Sequence, residues 1–232
     1  MDIFPQHGLE KNGLPSRENV RVFIGVPRVW SGLAVFLGID LAGVPSKPSG
    51  MALLTENLSA KTWLRYLDEE ILSDVDSYKP LVVGVDAPLG LPRGRESLEK
   101  RGPPHFRVCD NELRRRGIKF FPITIGAMRT LTARGIKIAN AIRTRNIPVY
   151  ETYPGGIQDI LGLPRSHKNL KQLIKGLRKL GIKNIPEKIT GDEADAVTCA
   201  YAAYLWKKGL CEEIGIPEEG IMILPRLKTG KN

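Results

Sequence analysis

The sequence is poor in the residues that build zinc sites, disulfides and membrane spans. Its three cysteines, Cys109, Cys199 and Cys211, are odd in number and form no Cys-x-x-Cys pair. This excludes a zinc site made of cysteine pairs and favours a reduced, cytoplasmic setting. A run of about eighteen apolar residues is missing, so we expect no transmembrane helix. Residues 1–30 lack the apolar centre of a secretory signal, and we expect none.

Histidine and aromatic residues are scarce as well. His7, His105 and His167 stand apart at no metal-binding spacing, and aromatic residues make up 6% of the chain. So few aromatic platforms weaken the case for a protein that prefers single strands because it stacks their bases. A metal site must therefore be sought among the carboxylates.

Positive charge, by contrast, is abundant and clustered. The net charge is +10, and the segment from Arg93 to Arg145 holds fourteen Lys and Arg against four Asp and Glu. The stretch from Arg165 to Lys183 adds seven basic residues and no acid. Clustered positive charge attracts polyanions through Coulomb steering and counterion release. We therefore expect DNA or RNA as a partner; a basic solvated surface of the thermophilic kind is the plainer alternative.

Alternating strand and helix patterns predict an α/β domain. Apolar runs predict buried strands over 33–41 and 81–85, shorter strands over 51–55 and 148–153, and an edge strand over 220–225. Apolar residues at helical spacing predict helices over 61–75, 105–116, 125–144, 167–180 and 191–208. The 232 residues suffice for one core of ordinary size.

The pattern also predicts how the chain is divided. Residues 1–31 show little periodicity and are expected to form an arm or a loose hairpin. Residues 32–232 are expected to form the single domain. Within it, the basic stretch 91–145 is predicted to be a helical insertion on the same sheet. The sequence does not indicate an oligomeric state.

Two predicted strands end in the same pattern, Gly-x-Asp, which places Asp40 and Asp86 at the strand mouths. Neighbouring buried carboxylates cannot both ionise in low dielectric, and a divalent cation is the commonest way to satisfy them. Alternate residues of a strand share a face, so we expect Gly38 and Gly84 to leave room there for a metal or a phosphate. Each aspartate taken alone fits a turn cap equally well.

Further acids lie on the third strand and at a helix start. Glu151 is either a site acid or an exposed strand acid, and the residues alone favour neither. Thr190 and Glu193 fit a capping box, which explains Glu193 structurally. Asp192 and Asp195 share a helix face that continues as an apolar stripe, so we expect Asp195 to be a metal ligand, with Asp192 second. Acids that offset the helix macrodipole are the alternative.

These acids predict a carboxylate metal site. Oxygen ligands without histidine or cysteine select Mg²⁺ or Mn²⁺ over zinc. The predicted metal ligands are Asp40, Asp86, Asp192 and Asp195, and the predicted catalytic residues are Asp40, Asp86, Glu151 and Asp195. Two such ions about 4 Å apart activate water and stabilise the leaving oxygen of a phosphodiester.

Several short motifs resemble an uncharacterised domain-of-unknown-function family of predicted nucleases with the ribonuclease H-like fold. The motifs are Gly38–Ala42, Val85–Pro88, Tyr150–Pro154 and Asp192–Ala196, with Phe106–Asp110 and Ile125–Arg129 as further matches. Their order and spacing match the family over roughly residues 33–225.

The resemblance implies a mixed central sheet flanked by helices, with the first strand beside the fourth. That arrangement would bring Asp40 and Asp86 together, and Asp195 from the last helix would complete the metal site. Glu151 and Asp192 are implied to be secondary acids. The resemblance also implies that phosphate is contacted by Arg107, Arg129 and Lys168.

Three functions are compatible with these residues. The leading hypothesis is a metal-dependent nuclease that acts on DNA or RNA. The second is a phosphotransferase or ATPase of the actin and sugar-kinase class, in which Asp40–Gly43 would be the Asp-x-x-Gly motif; such proteins normally duplicate the fold, and 232 residues are too few for two copies. The third is a non-catalytic nucleic-acid-binding module whose acids are structural, which predicts salt-sensitive binding without cleavage.

Overall fold

A seven-stranded mixed sheet organises the residues that the computed structural model describes, 33–226; the predicted arm, 1–31, lies outside them. The strands are β1 (Val35–Asp40), β2 (Ser49–Thr55), β3 (Ala60–Arg65), β4 (Val82–Asp86), β5 (Val149–Glu151), β6 (Cys211–Ile216) and β7 (Gly220–Pro225). Their order across the sheet is β3-β2-β1-β4-β5-β7-β6. The pairs β1–β4, β4–β5 and β5–β7 are parallel, and the other three pairs are antiparallel.

Helices cover both faces of this sheet. They are α1 (Asp68–Tyr78), α2 (Val108–Arg115), α3 (Gly126–Arg143), α4 (Pro154–Ile160), α5 (Ser166–Lys179) and α6 (Gly191–Lys207). Successive strand residues point to opposite faces, so Phe36 belongs to a core shared with α2, α4, α5 and α6, while Leu37 belongs to a core shared with α1 and α3. The predicted α/β class, a mixed central sheet flanked by helices with β1 beside β4, is confirmed. Between residues 33 and 226, no helix has the length and apolar character needed to cross a membrane.

Helix α6 packs closely on the sheet, and this corrects the expected role of the glycines. A Cβ atom at Gly38 would lie 2.0 Å from the carbonyl oxygen of Ala196, and one at Gly84 would lie 2.7 Å from that of Cys199. The two glycines therefore make space for the backbone of α6 and leave none for a metal or a phosphate. Their position beside each aspartate brings the start of α6 to the strand ends.

Two local predictions were wrong. The segment predicted as a helix over 61–75 is strand β3 followed by α1, because residues 60–65 pair with the edge of β2, a non-local contact that helical periodicity does not reveal. Strand β7 is not an edge strand, because β6 pairs outside it. Helix α4 begins at Pro154, where the missing N–H of proline costs nothing.

Candidate active site

Asp40 and Asp86 are the last residues of β1 and β4, and they are register partners in the parallel pair. Their Cα atoms therefore lie on neighbouring strands, whose usual spacing is about 4.8 Å. Both residues are only partly buried, because the strands end there. Ligands of open α/β sheets bind at such carboxyl ends. The structure thus brings together the two aspartates of the repeated pattern.

The N-terminus of α6 carries Asp192 and Asp195 to the same sheet end. The Asp195 carboxylate accepts hydrogen bonds from Gln158 Nε2 and Ser166 Oγ, both at 2.6 Å. Asp192 and Asp40 line a cavity of about 250 Å³ together with the exposed Lys47. One carboxylate of α6 is thus held in place by α4 and α5, and the other lies at the open rim.

A capping box fixes where α6 begins. Thr190 Oγ1 accepts a hydrogen bond from the Glu193 N–H at 3.1 Å, and Glu193 Oε2 accepts one from the Thr190 N–H at 2.9 Å. The structural role predicted for Glu193 is therefore present. Because the helix start is fixed, the positions of the next two aspartates relative to β1 are fixed as well.

The electrostatics of the cluster oppose ionisation of its carboxyl groups. Burial, followed by the charges of Asp86 and Asp195, raises the pKa of Asp40 well above its ordinary value. Burial, followed by the charges of Asp195 and Glu151, raises the pKa of Asp86 to about 8. Burial also raises the pKa of Asp195, although its bonds from Ser166 and Gln158 act in the opposite direction. In the described part of the chain, none of these three aspartates forms an ion pair with a basic side chain.

The donor chemistry fits a hard divalent cation. All the candidate ligands are carboxylate oxygens, which Mg²⁺ and Mn²⁺ prefer. Thr152 Oγ1, in a residue that lines the cavity below Asp86, is buried without a hydrogen-bond partner in residues 33–226. As the side chains are placed, no three His, Cys, Asp or Glu residues of that range form a complete metal-holding group. The predicted ligand set, Asp40, Asp86, Asp192 and Asp195, therefore stays a prediction.

Glu151 and Arg107 lie below the site, in the protein interior. Arg107 is 1% exposed and Glu151 is 3% exposed. The guanidinium of Arg107 binds both oxygens of Glu151, at 2.5 and 2.7 Å, and also binds Asp110 at 2.9 Å. Glu151 Oε2 further accepts a hydrogen bond from the Leu89 N–H at 3.0 Å. This corrects the expectation that Arg107 contacts phosphate, because its guanidinium is buried and forms ion pairs with Glu151 and Asp110.

Buried arginines support both loops that follow the aspartates. The Arg107–Glu151 pair holds the loop after Asp86 through the Leu89 N–H. On the other face, the Arg134 guanidinium donates to the carbonyl oxygen of Ala42 at 2.7 Å and to Asp68 at 2.8 Å. Buried hydrogen bonds and ion pairs therefore hold the loops at both strand ends, as a preorganised site requires.

The other two predicted phosphate ligands lie on accessible surface. Arg129 is partly exposed in the first turn of α3, which packs against Gly43 just beyond β1. Lys168 is exposed at the start of α5, two residues after Ser166. Both helices border the carboxylate cluster. Their contact with phosphate remains a prediction.

Several residues of this site escaped the sequence analysis. Gln158, Ser166, Lys47 and Arg134 belong to segments without a chemical motif, and Thr152 sits inside one as an ordinary hydroxyl. Of these residues, only Lys47 could have been predicted from the sequence, because it lies in the short turn that follows Asp40 and returns the chain beside β1. The other four become visible only when distant elements meet.

Comparisons with known proteins give one family, and the solved structures that the chain resembles include two of RuvC. A family model described as "Protein of unknown function (DUF429)" matches residues 38–220. Thermus thermophilus RuvC has a TM-score of 0.43 and 14% identity, over 82% of this chain and 99% of that one. T. thermophilus RuvC in complex with Holliday junction substrate has a TM-score of 0.41 and 16% identity, over 75% of this chain and 96% of that one. No curated protein sequence matches the chain.

Proposed function

The chain belongs to the DUF429 family of proteins of unknown function, and we propose that it is a metal-dependent nuclease that hydrolyses phosphodiester bonds of DNA or RNA. The observation that supports this most strongly is the convergence of Asp40, Asp86 and Asp195 from three elements, without an ion-pair partner among residues 33–226. Crowded and desolvated carboxylates that repel one another ionise readily at neutral pH when a cation offsets their charge.

Asp40 and Asp86 are the proposed primary ligands of Mg²⁺ or Mn²⁺. Asp195 is the proposed third ligand, and its bonds from Gln158 and Ser166 fix the orientation of its carboxylate. Asp192 lies at the rim as a further acid. A divalent cation bound there would offset the carboxylate charge and supply Lewis acidity toward the phosphodiester.

The basic side chains around the cluster would position the substrate. Lys47 lines the rim cavity with Asp40, while Arg129 and Lys168 are reachable from solvent on the helices beside it. Lysine and arginine on such surfaces bind backbone phosphates without reading sequence. Glu151 is proposed to act indirectly, because its pairing with Arg107 holds the loop that follows Asp86.

The three cysteines are free and buried, in keeping with the cytoplasmic setting that we propose.

Cleavage assays test the proposal. The purified protein would be incubated with single-stranded and double-stranded DNA and RNA, with and without Mg²⁺ or Mn²⁺. We expect metal-dependent cleavage that is lost in Asp40→Asn and in Asp86→Asn and retained in Asp76→Asn, a surface carboxylate paired with Arg145. Cleavage that survives both site substitutions would refute the assignment.

Two other outcomes would favour the alternative functions. Nucleotide hydrolysis without strand cleavage would indicate the phosphotransferase class. Binding that neither site substitution changes, with no cleavage under any condition, would indicate a non-catalytic module.

A further inference from the structure

A large open cavity lies beside the carboxylate cluster. Its volume is about 730 Å³, within the range of about 300–1,000 Å³ that ligand sites occupy. It lies between α2, residues 117–122 and the starts of α4 and α5. Four aromatic side chains line it, those of Phe106, Phe120, Phe121 and Tyr153. We call it the aromatic pocket.

The aromatic pocket adjoins the proposed metal site. Phe120, Phe121 and Tyr153 also line the smaller cavity, of about 160 Å³, that reaches Asp86. His167, on the pocket wall, directly follows Ser166, whose hydroxyl donates to Asp195 at 2.6 Å. A ligand in the aromatic pocket would therefore lie next to a group bound at the carboxylates.

Aromatic rings are concentrated here although the chain has few of them. Three of its six phenylalanines line the pocket, and Phe121 is 70% exposed. Tyr153 is fixed, since its hydroxyl donates to the Lys119 carbonyl oxygen at 2.5 Å and accepts from Arg165 at 3.0 Å. The pocket therefore offers a held ring and an exposed ring to a flat ligand.

The charge of the lining complements an anion. Arg114 and Lys119 line the pocket, and neither forms an ion pair in the described chain. Arg165 also lines it, with its charge paired to Asp159, and none of the lining residues is acidic. The Arg114 guanidinium stacks over Phe106 at 4.6 Å, and Arg165 lies 5.5 Å from the ring of Tyr153. Aromatic faces combined with guanidinium groups suit a ligand that carries both a π face and phosphate.

We propose that the aromatic pocket receives an unpaired base of a single-stranded DNA or RNA segment whose phosphate lies at the carboxylate cluster. This inference rests on the proposed function and specifies its substrate as nucleic acid with unpaired bases. A base inside a duplex is stacked on both faces and cannot enter a cavity unless it is extruded. The basic rim would hold the backbone on either side of the inserted base.

Binding measurements with a fluorescent base test this proposal. The probe is a short oligothymidylate with one central 2-aminopurine, used alone and annealed to its complement. All variants are made in the Asp86→Asn background, which keeps the strand intact. We expect quenching on binding, tighter binding of the single strand, and a loss of single-strand affinity of about tenfold or more in Phe121→Ala. Duplex affinity should stay unchanged, and Phe121→Trp should keep single-strand affinity.

A matched control removes apolar surface elsewhere. Leu210 is 52% exposed beyond the end of α6 opposite to Asp195, so Leu210→Ala should bind as the parent does. Equal single-strand affinity in Phe121→Ala and its parent, or equal affinity of the parent for single strand and duplex, would overturn the proposal. These readouts need no cleavage. If the protein without substitutions cuts no substrate in the cleavage assays, and Phe121→Ala still loses single-strand affinity in the Asp86→Asn background, the nuclease function is refuted and the pocket assignment stands.

Discussion

Replacing Asp86 with asparagine should stabilise the metal-free protein at neutral pH. Burial and the charges of Asp195 and Glu151 raise the pKa of Asp86 to about 8, whereas the pKa of an aspartate in an unfolded chain is about 3.9. The folded protein therefore holds a proton that the unfolded chain releases. Asparagine has nearly the same shape and no charge, so it removes the cost of ionisation and keeps the packing.

The sign and the size of the effect follow from linkage. Because the pKa of folded Asp86 is raised, its contribution to the free energy of unfolding is fully present below about pH 4 and is lost as the pH rises towards about 8. A pH of about 7 lies about 3 pH units above the pKa of unfolded aspartate, so keeping Asp86 protonated in the folded protein costs at most about 4 kcal/mol there. Asp40 keeps part of this cost in the variant, because burial and the charges of Asp195 and Asp192 still raise its pKa. We therefore expect a gain of about 1–3 kcal/mol.

Urea unfolding in EDTA at about pH 7 and about pH 4 would measure this gain, which should vanish at the lower pH. Asp76→Asn is the matched control, since Arg145 lowers the pKa of Asp76 and the variant should lose up to about 1 kcal/mol at neutral pH. Added Mg²⁺ should stabilise the parent and leave Asp86→Asn almost unchanged. An Asp86→Asn variant less stable than the parent at neutral pH in EDTA, or a gain that persists at acid pH, would refute the reasoning.

Three further predictions test the surroundings of the site. Arg107→Ala leaves two buried carboxylates unpaired and should lower the free energy of unfolding by about 3–5 kcal/mol in urea titrations; a loss below about 1 kcal/mol would contradict the burial of that pair. Gly38→Ala places a methyl group against the backbone of α6 and should lower the free energy of unfolding by about 3 kcal/mol or more. Gly191→Ala is the control, because its new Cβ would lie 3.8 Å from the nearest atom, Ser166 Cβ, and it should change the free energy of unfolding little in the same titration. Lys168→Ala should weaken nucleic acid binding and reduce the magnitude of the slope of log affinity against log salt concentration by about 0.7–0.9. Lys207→Ala, at the far end of α6, should leave that slope unchanged. Equal slopes for the two variants would exclude Lys168 as a phosphate contact.

The sequence by itself determined the sheet centre and its two aspartates. Continuous apolar runs leave few alternatives to buried parallel strands, and each run ends at a carboxylate that must face the strand mouth. The start of α6 could also be predicted from the sequence, because a capping box is a local pattern that needs no distant partner. These features could be predicted because each depends on neighbours in the chain.

Only the tertiary structure decided what surrounds those aspartates. The pairing of β3 with β2, the approach of α6 to Gly38 and the burial of Arg107 against Glu151 each join residues far apart in the chain. The chain contains few aromatic residues, but the fold brings four of them to one cavity beside the carboxylate cluster. Local patterns specify elements, whereas the packing of elements decides which side chains remain exposed, and that selection determines what the protein can bind.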